Sequence, residues 1–393
     1  MWSSRVAIIG GGIAGCSVAR GLAKKGMKPV VFEMGRGLGG RTATRRSRED
    51  SMVAIDHGAP AFHATSAEFL NLIHRLRKSG HVEDWKGVRG EMRAGGEFKM
   101  SAGNMLSMYV GRGGMSSVCE GLIAELDVET RFQTMIKSFA YDEQEEKRGN
   151  WMLTDRKGES LGEFGWIVAT SSSLLHNRWT KIYGGPPPLL HAAKEVGMKG
   201  IHTVTSLENN PVFVVMMGFD SSHSPALNAL PADMIEVTHS DTLSKVVRQT
   251  RPGMVPSLVL HSTIPFAQKS VMTHGRGGTA ELMGAKNKTT DENKVKSAIL
   301  SAFEQEVCRP LGINFDLSET DKAVYGPALH RWGSAFPGNV PEIEVPLSMV
   351  DGSARIAIAG DFLARPGGNV EQACLSGLEA AEEIYKIYNS AAK

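Results

Sequence analysis

The chain has 393 residues, enough for two or three domains with sizeable cores, and its 41% apolar and 22% charged residues are those of an ordinary globular protein. Its 44 Lys and Arg against 42 Asp and Glu leave a formal net charge of +2, which excludes both the basic footprint of a nucleic-acid binder and the imbalance of a disordered chain. The four cysteines (Cys16, Cys119, Cys308, Cys374) are scattered without C-x-x-C, and no run of about 18 uninterrupted apolar residues occurs, so disulfide frameworks, metal sites and spanning helices are not expected. The expectation is a soluble intracellular protein, in the cytoplasm or an organelle such as the plastid stroma, whose partner is a small molecule.

Val6 to Ile9 is a short β-branched run that predicts a strand, broken at Gly10-Gly11-Gly12. Apolar residues then recur at helical spacing through Ile13, Val18 and Leu22, and Gly26 supplies a C-terminal stop. A second buried-type strand, Pro29 to Phe32, ends on Glu33 and completes a βαβ outline. Gly10, Gly12 and Gly15 form G-x-G-x-x-G, whose glycines serve the sharp turn, the close approach of backbone to a pyrophosphate, and helix-on-strand packing. The N–H groups of the first helical turn, at Ile13 and Ala14, then point at phosphates. Glu33 follows at about the spacing of a carboxylate that holds a ribose diol, and its charge disfavours a 2′-phosphate. A secretory signal needs neither the second strand nor the acid. Up to this point NAD and FAD fit equally.

A second glycine-rich turn, MGRGLGGRTATRR (residues 34–46), carries Met34, Gly39, Gly40 and Arg41. Its glycines admit another anionic segment, and Arg41 can form charge-assisted bonds to phosphate oxygens. Arg45, Arg46 and Arg48 read as a solvated basic loop. The G-x-G-x-x-G and G-x-G-G-R pair resembles the flavin-dependent amine oxidase superfamily, and DHGAPAF (residues 56–62) is similar to the renalase group's segment along the flavin. That resemblance implies non-covalent FAD, with Gly58, Ala59 and Phe62 beside it and backbone near Ile136 at the adenine. It also implies that residues 163–173 return to the FAD domain, while PVFVVMMGF (211–219) and SLVLHST (257–263) are substrate-domain strands. LHRWGSAFP (329–337) resembles the renalase His-Arg-Trp stretch and brings His330 and Trp332 to the isoalloxazine as pocket candidates. In residues 354–384 an apolar strand ends in Gly360-Asp361, and a helix follows from about Asn369. By resemblance Asp361 holds ribityl or phosphate-linked groups, and the helix start at Asn369 and Val370 faces the flavin's pyrimidine edge.

The implied fold class is α/β: a Rossmann-type FAD-binding domain (residues 1–62, 103–180 and 345–393) interleaved with an α+β substrate domain (63–102 and 181–344). The latter rests on an antiparallel-rich sheet of p-hydroxybenzoate hydroxylase-like topology. Phe362, the bridge LARPGGN (363–369) and a stretch resembling an insertion, Asp220 to Met234, depart from the family pattern and bear on the substrate. Residues 141–150 predict a hairpin excursion, 184–190 a loop, and 274–294 a loop running into a helix. His63 reads as a surface-loop residue, Cys16 and Cys374 as buried small residues, and the consecutive Met216 and Met217 must face opposite sides of a strand. No Ser/His/Asp trio, H-E-x-x-H or Walker motif occurs, so hydrolysis and phosphoryl transfer lack support. The resemblance implies an FAD-dependent oxidase accepting hydride from a small substrate, such as an isomeric dihydro-NAD(P), with O2 as acceptor giving H2O2. A flavin amine oxidase, a polyene or polycycle dehydrogenase, and a non-catalytic binding protein on the same scaffold are the alternatives.

Overall fold

Strand Arg5–Ile9 is buried on both sides, and its side chains alternate between two cores: Val6 and Ile8 join one, Ala7 and Ile9 the other. Both-face burial is the setting of a parallel sheet with covered faces. In the computed structural model, which describes residues 3–101, 107–142, 149–220, 225–270, 273–275, 278–285, 289–315, 320, 322–338, 347–363 and 367–392, this strand sits inside a six-stranded sheet. The order is Glu129–Arg131, Lys28–Phe32, Arg5–Ile9, Trp166–Ala169, Ile356–Ala359, Ser348–Asp351, parallel except at the last pair. It is a Rossmann-type sheet, and strands from both ends of the chain meet in it.

Helices Ile13–Ala23, Ser116–Ile123 and Val370–Ala392 cover one face. The first and last pack closely because small residues line the seam: a Cβ on Gly21 would lie 2.5 Å from that of Ala381, and one on Gly377 2.4 Å from the Ala14 carbonyl. Cys16 and Cys374 are fully buried there, as expected of small core residues, and burial pushes the Cys374 thiol up to about 12. The other face is covered by the antiparallel meander Ile136–Asp142, Asn150–Asp155 and Ser160–Phe164, together with helix Pro188–Glu195.

The second sheet has seven strands in the order Ala323–Pro337, Asn209–Phe219, Ser257–Ser262, Leu243–Gln249, Met234–Val237, Arg89–Met92, Phe98–Met100. Pairing is antiparallel except between Met234–Val237 and Arg89–Met92. Along Asn209–Phe219 the side chains alternate faces. Phe213, Val215 and Met217 enter the core beneath helix Thr289–Phe303, while Val212, Val214 and Met216 face Val53 and Ile55, so Met216 and Met217 do point opposite ways. The fold class is the expected one, and residues 89–100 interleave it by entering the second sheet from between strands of the first.

Locally the chain differs from expectation at residues 188–190, which form the first turn of helix Pro188–Glu195 rather than loop. Proline suits that turn, because the N–H it lacks has no intrahelical partner. Residues 143–148 of the expected hairpin excursion lie outside the described residues, between two strands that do pair. So do 221–224 of the departure at Asp220 to Met234, and 276, 277 and 286–288 of the expected loop, which contains a short helix, Thr279–Leu282.

Candidate functional site

The two glycine-rich turns fold onto one another above the C-terminal end of the first strand. Gly12 and Gly39 form a parallel bridge, and Gly39 N–H donates to the Gly11 carbonyl at 2.8 Å. Gly10 has φ +117°, and a Cβ there would meet Thr170 Oγ1 at 2.4 Å; a Cβ on Gly15 would lie 1.9 Å from the Gly10 carbonyl. Both are therefore glycine for the protein's own packing. Gly12 is different: its φ of −83° suits any residue, and a Cβ would find only ordinary contacts, at 3.7 Å, with Gly39 and Gly40. Beside it helix Ile13–Ala23 starts with no side-chain cap and no acid in its first turn. The N–H groups of Ile13 and Ala14 thus open toward a concave, electropositive backbone cradle.

Glu33 joins the turns from below. Its Oε2 accepts from Gly11 N–H at 2.8 Å and its Oε1 from Gly35 N–H at 2.5 Å, while burial pushes its carboxyl up against those two bonds. Each oxygen keeps a lone pair for a further donor such as a ribose hydroxyl. Backbone bonds from Gln133 N–H to Gly35 and from Thr134 N–H to Glu33 run residues 131–135 along the same edge. The side chains of Ile136, buried, and Met34, half-buried, pack in the core below it.

Arg41 and Asp361 close the other end. The guanidinium holds both carboxylate oxygens, at 2.8 and 2.5 Å, and also the Ala335 carbonyl at 3.0 Å, in the bidentate geometry that gives such pairs their rigidity. Asp361 is 2% exposed and Arg41 about a third exposed. Here the pair joins the second glycine turn to the Gly360-Asp361 corner, where Gly360 N–H donates to Ser376 Oγ. Gly58 lies against Arg41, where a Cβ would be 1.9 Å from the Arg41 carbonyl, and Ala59 N–H bonds that same carbonyl. The Phe62 ring packs with Phe69 and Tyr109 in the core, which leaves its backbone as the part able to meet a ligand. Asn369 caps the last helix by accepting from Gln372 N–H, and Val370 is buried behind it. Glu371 in that first turn binds Thr65 and Ser66, so its charge is spent on those donors rather than on the space ahead of the helix.

His330 and Trp332 come together with a residue that the sequence did not single out, His57. Trp332 stacks on His57 at 5.0 Å and donates from Nε1 to the His57 carbonyl at 2.8 Å, while His330 meets both rings edge-on at 4.8 and 4.3 Å. Asp56, next to His57, is locked to the second sheet by an ion pair with Arg251 and by Gln249 Nε2, which donates to its carbonyl at 2.6 Å. Cross-strand register carries the row further: His330 opposes Val214, Val214 opposes His261, His261 opposes Lys245, and Lys245 opposes Glu236. Residues directly opposite share a face, so all five side chains project toward the Rossmann-type domain. Among the described residues, His57 Nδ1, His261 Nε2 and His330 Nε2 are buried without a hydrogen-bond partner. Arg45 and Arg46 belong to strand Thr44–Arg46 rather than to a solvated loop: Arg45 Nε donates to the Tyr325 hydroxyl at 3.1 Å beside this group and Arg46 to the Gly113 carbonyl at 3.1 Å, while Arg48 is exposed. A cleft of about 910 Å³ reaches the same sheet face at Met234 and Val247.

Burial and neighbouring cations keep these imidazoles neutral. His57 is held down to about 4 by burial and Arg45, His261 to about 3 by burial and Lys245, and His330 lies well below the usual range. The unfolded chain, with histidine near 6.5, takes up these protons first as pH falls, so stability is lost below about 6.5 and, for His57, down to about 4. In urea titrations between pH 7.5 and 5, His57→Asn is expected to remove a slope of about 1.4 kcal/mol per pH unit below 6.5. A variant with the wild-type slope would mean that His57 is not held neutral.

A profile of the NAD(P)-binding Rossmann-like domain matches residues 8–76. Among solved structures, one described as a protoporphyrinogen oxidase of Exiguobacterium sp. 255-15 superposes with TM-score 0.61 at 13% identity, covering 98% of this chain and 99% of that chain. Cyclohexylamine oxidase from Brevibacterium oxydans IH-35A gives 0.59 at 13%, with 98% and 99% covered. p-Nitrophenol 4-monooxygenase from Pseudomonas putida DLL-E4 gives 0.54 at 15%, with 99% and 80% covered. At these identities the likeness is one of fold. It extends over nearly the whole chain. Among the described residues, no helix is long and apolar enough to cross a membrane, and no group of three His, Cys, Asp or Glu could hold a metal ion.

Proposed function

We propose that this chain is an FAD-dependent oxidoreductase that accepts a hydride from a small planar substrate. The observation that carries the reading is Gly12: no protein atom requires a glycine there, yet its missing side chain opens the double glycine cradle at an uncapped helix N-terminus. That cradle fits a pyrophosphate, with the N–H groups of Ile13 and Ala14 and the turn at Gly39 and Gly40 as donors, and Glu33 beside it for a ribose diol. Arg41 and Asp361 would bracket the flavin-side phosphate and ribityl, and Asn369 and Val370 the far edge. When bound, FAD would supply the hydride acceptor. Proteins named as oxidases share the fold.

The chain's own part is to bind and orient. Hydride departure driven by a substrate's own nitrogen needs alignment more than a base, and the neutral His330 and His57 offer hydrogen bonds without charge, with Trp332 as a stacking surface. Lys245 and Arg45 bordering this group suit the phosphates of a nucleotide better than a protonated amine. We therefore favour an isomeric dihydronicotinamide, 2- or 6-dihydro-NAD(P), whose oxidation releases one hydride and restores the aromatic pyridinium, with O2 taking the two electrons and two protons to give H2O2. An amine or polycycle substrate is the second arm of the same test. Anaerobic mixing of the yellow protein with each isomer should bleach the flavin absorbance within the mixing time. Bleaching by amines alone would transfer the assignment to them, and a colourless protein that takes up no FAD would return the scaffold to a binding role.

A further inference from the structure

On the other face of strand Ala323–Pro337 from His330, two arginines lie close to one another. Arg331 sits on strand Ala323–Pro337 opposite Phe213, 8% exposed, with its guanidinium over the Phe213 ring at 5.6 Å. Its Nε and Nη1 are buried and unpartnered. Arg178, from helix Arg178–Tyr183, lays its guanidinium over Gly333, where a Cβ would fall 1.4 Å from Nη2, and donates from Nη1 to the Ser334 hydroxyl at 2.8 Å. Among the described residues, no carboxylate pairs with either. Three other half-buried arginines are each paired with an acid, Arg41 with Asp361, Arg251 with Asp56 and Arg248 with Asp233.

Two neighbouring guanidiniums without a counter-charge, one buried and one half-buried, are costly. Burial, and for Arg331 the neighbouring Arg178 charge, bring Arg331 down to about 9 and Arg178 to about 10; His274 beside them is held at about 4, chiefly by burial and then by the same two charges. Stacking on Phe213 accounts for one face of Arg331 but leaves its in-plane donors idle. Those donors match a tetrahedral oxoanion. We infer that Arg178, Arg331 and the Ser334 hydroxyl form a binding site for a phosphate-class oxoanion. The site adjoins the cradle, because Ala335, next in sequence to Ser334, gives its carbonyl to Arg41. The phosphate could belong to the dinucleotide itself or to a separate ligand such as a nucleotide substrate.

The inference does not rest on the redox reading, and its test reads binding alone. Inorganic phosphate, titrated at constant ionic strength, should raise the melting temperature of the flavin-free protein by roughly 2 °C once it is in excess over its Kd. Arg331→Met should show no such rise and, without phosphate, melt no lower than the wild type, since it removes an uncompensated buried charge. Arg178→Gln serves if that variant does not fold, and should likewise lose the response. A response that disappears on loading with FAD assigns the site to the dinucleotide, and one that persists assigns it to a separate anion. A wild type indifferent to phosphate, or an Arg331→Met protein that responds as the wild type does, overturns the site.

Discussion

Gly12→Ala should leave the apoprotein folded and cost it flavin, whereas Gly15→Ala should damage the fold itself. The Gly12 backbone is already extended and its added methyl meets nothing closer than 3.7 Å, so the flavin-free melting temperature should move by about 1 °C or less. The methyl instead occupies space in front of the helix N-terminus. Loss of one close charged hydrogen bond there is worth about 1.5–3 kcal/mol, or roughly ten- to hundredfold in FAD affinity. At Gly15 the methyl would lie 1.9 Å from the Gly10 carbonyl, and the helix must move off the strand at a cost of about 3 kcal/mol. Melting curves and the visible flavin absorbance separate the two outcomes. If Gly12→Ala binds FAD as the wild type does, the cradle is not the pyrophosphate site.

Arg251→Met is expected to be among the most destabilising substitutions at a partly exposed residue. Asp56, 1% exposed, would keep Thr44 Oγ1 and Met115 N–H as donors but lose its counter-charge. Breaking a buried ion pair from one side costs about 3–5 kcal/mol, and the fifth of Arg251 that is exposed puts the value at the lower end. Burial already pushes the Asp56 carboxyl up against the pull of Arg251, so removing Arg251 raises it further. A carboxyl raised above its unfolded value destabilises while ionised and recovers as it takes up a proton. The deficit measured in urea should therefore shrink as pH falls, and Asp56→Asn added to Arg251→Met should restore part of it at neutral pH. A deficit that does not change with pH would place the loss in packing alone.

The βαβ unit was legible because its strands are continuous apolar runs and its helix begins at a glycine turn, signals that need no knowledge of the rest of the chain. Gly360-Asp361 is legible by resemblance, but its partner is not: the sequence points Arg41 and Asp361 each toward a ligand, and the structure also turns them toward each other. Strands Arg89–Met92 and Phe98–Met100 are short and charged, and only their pairing beyond Met234–Val237 makes them sheet. His261 and Lys245 escaped for the same reason, because register across strands distant in sequence aligns them with His330, while His57 reaches it only through ring contacts with Trp332 and His330. His261 did leave a trace, as a polar residue at an inward position of the apolar run SLVLHST.

Because the clamp on the cradle is drawn from residues 41 and 361, and the helix at residue 13 is roofed by the one at residue 370, the order of synthesis constrains maturation. A ribosome that has made the first sheet strands, the glycine turns and the whole seven-stranded sheet has still not made strand Ile356–Ala359 or helix Val370–Ala392. Until it does, the small-residue face of helix Ile13–Ala23 is bare and Arg41 lacks its acid, so the nascent chain exposes an apolar seam that calls for chaperone protection. On the proposed reading, flavin uptake then becomes a post-translational step. A chain truncated before residue 356 should accumulate as a chaperone-bound species rather than as an apoprotein awaiting cofactor.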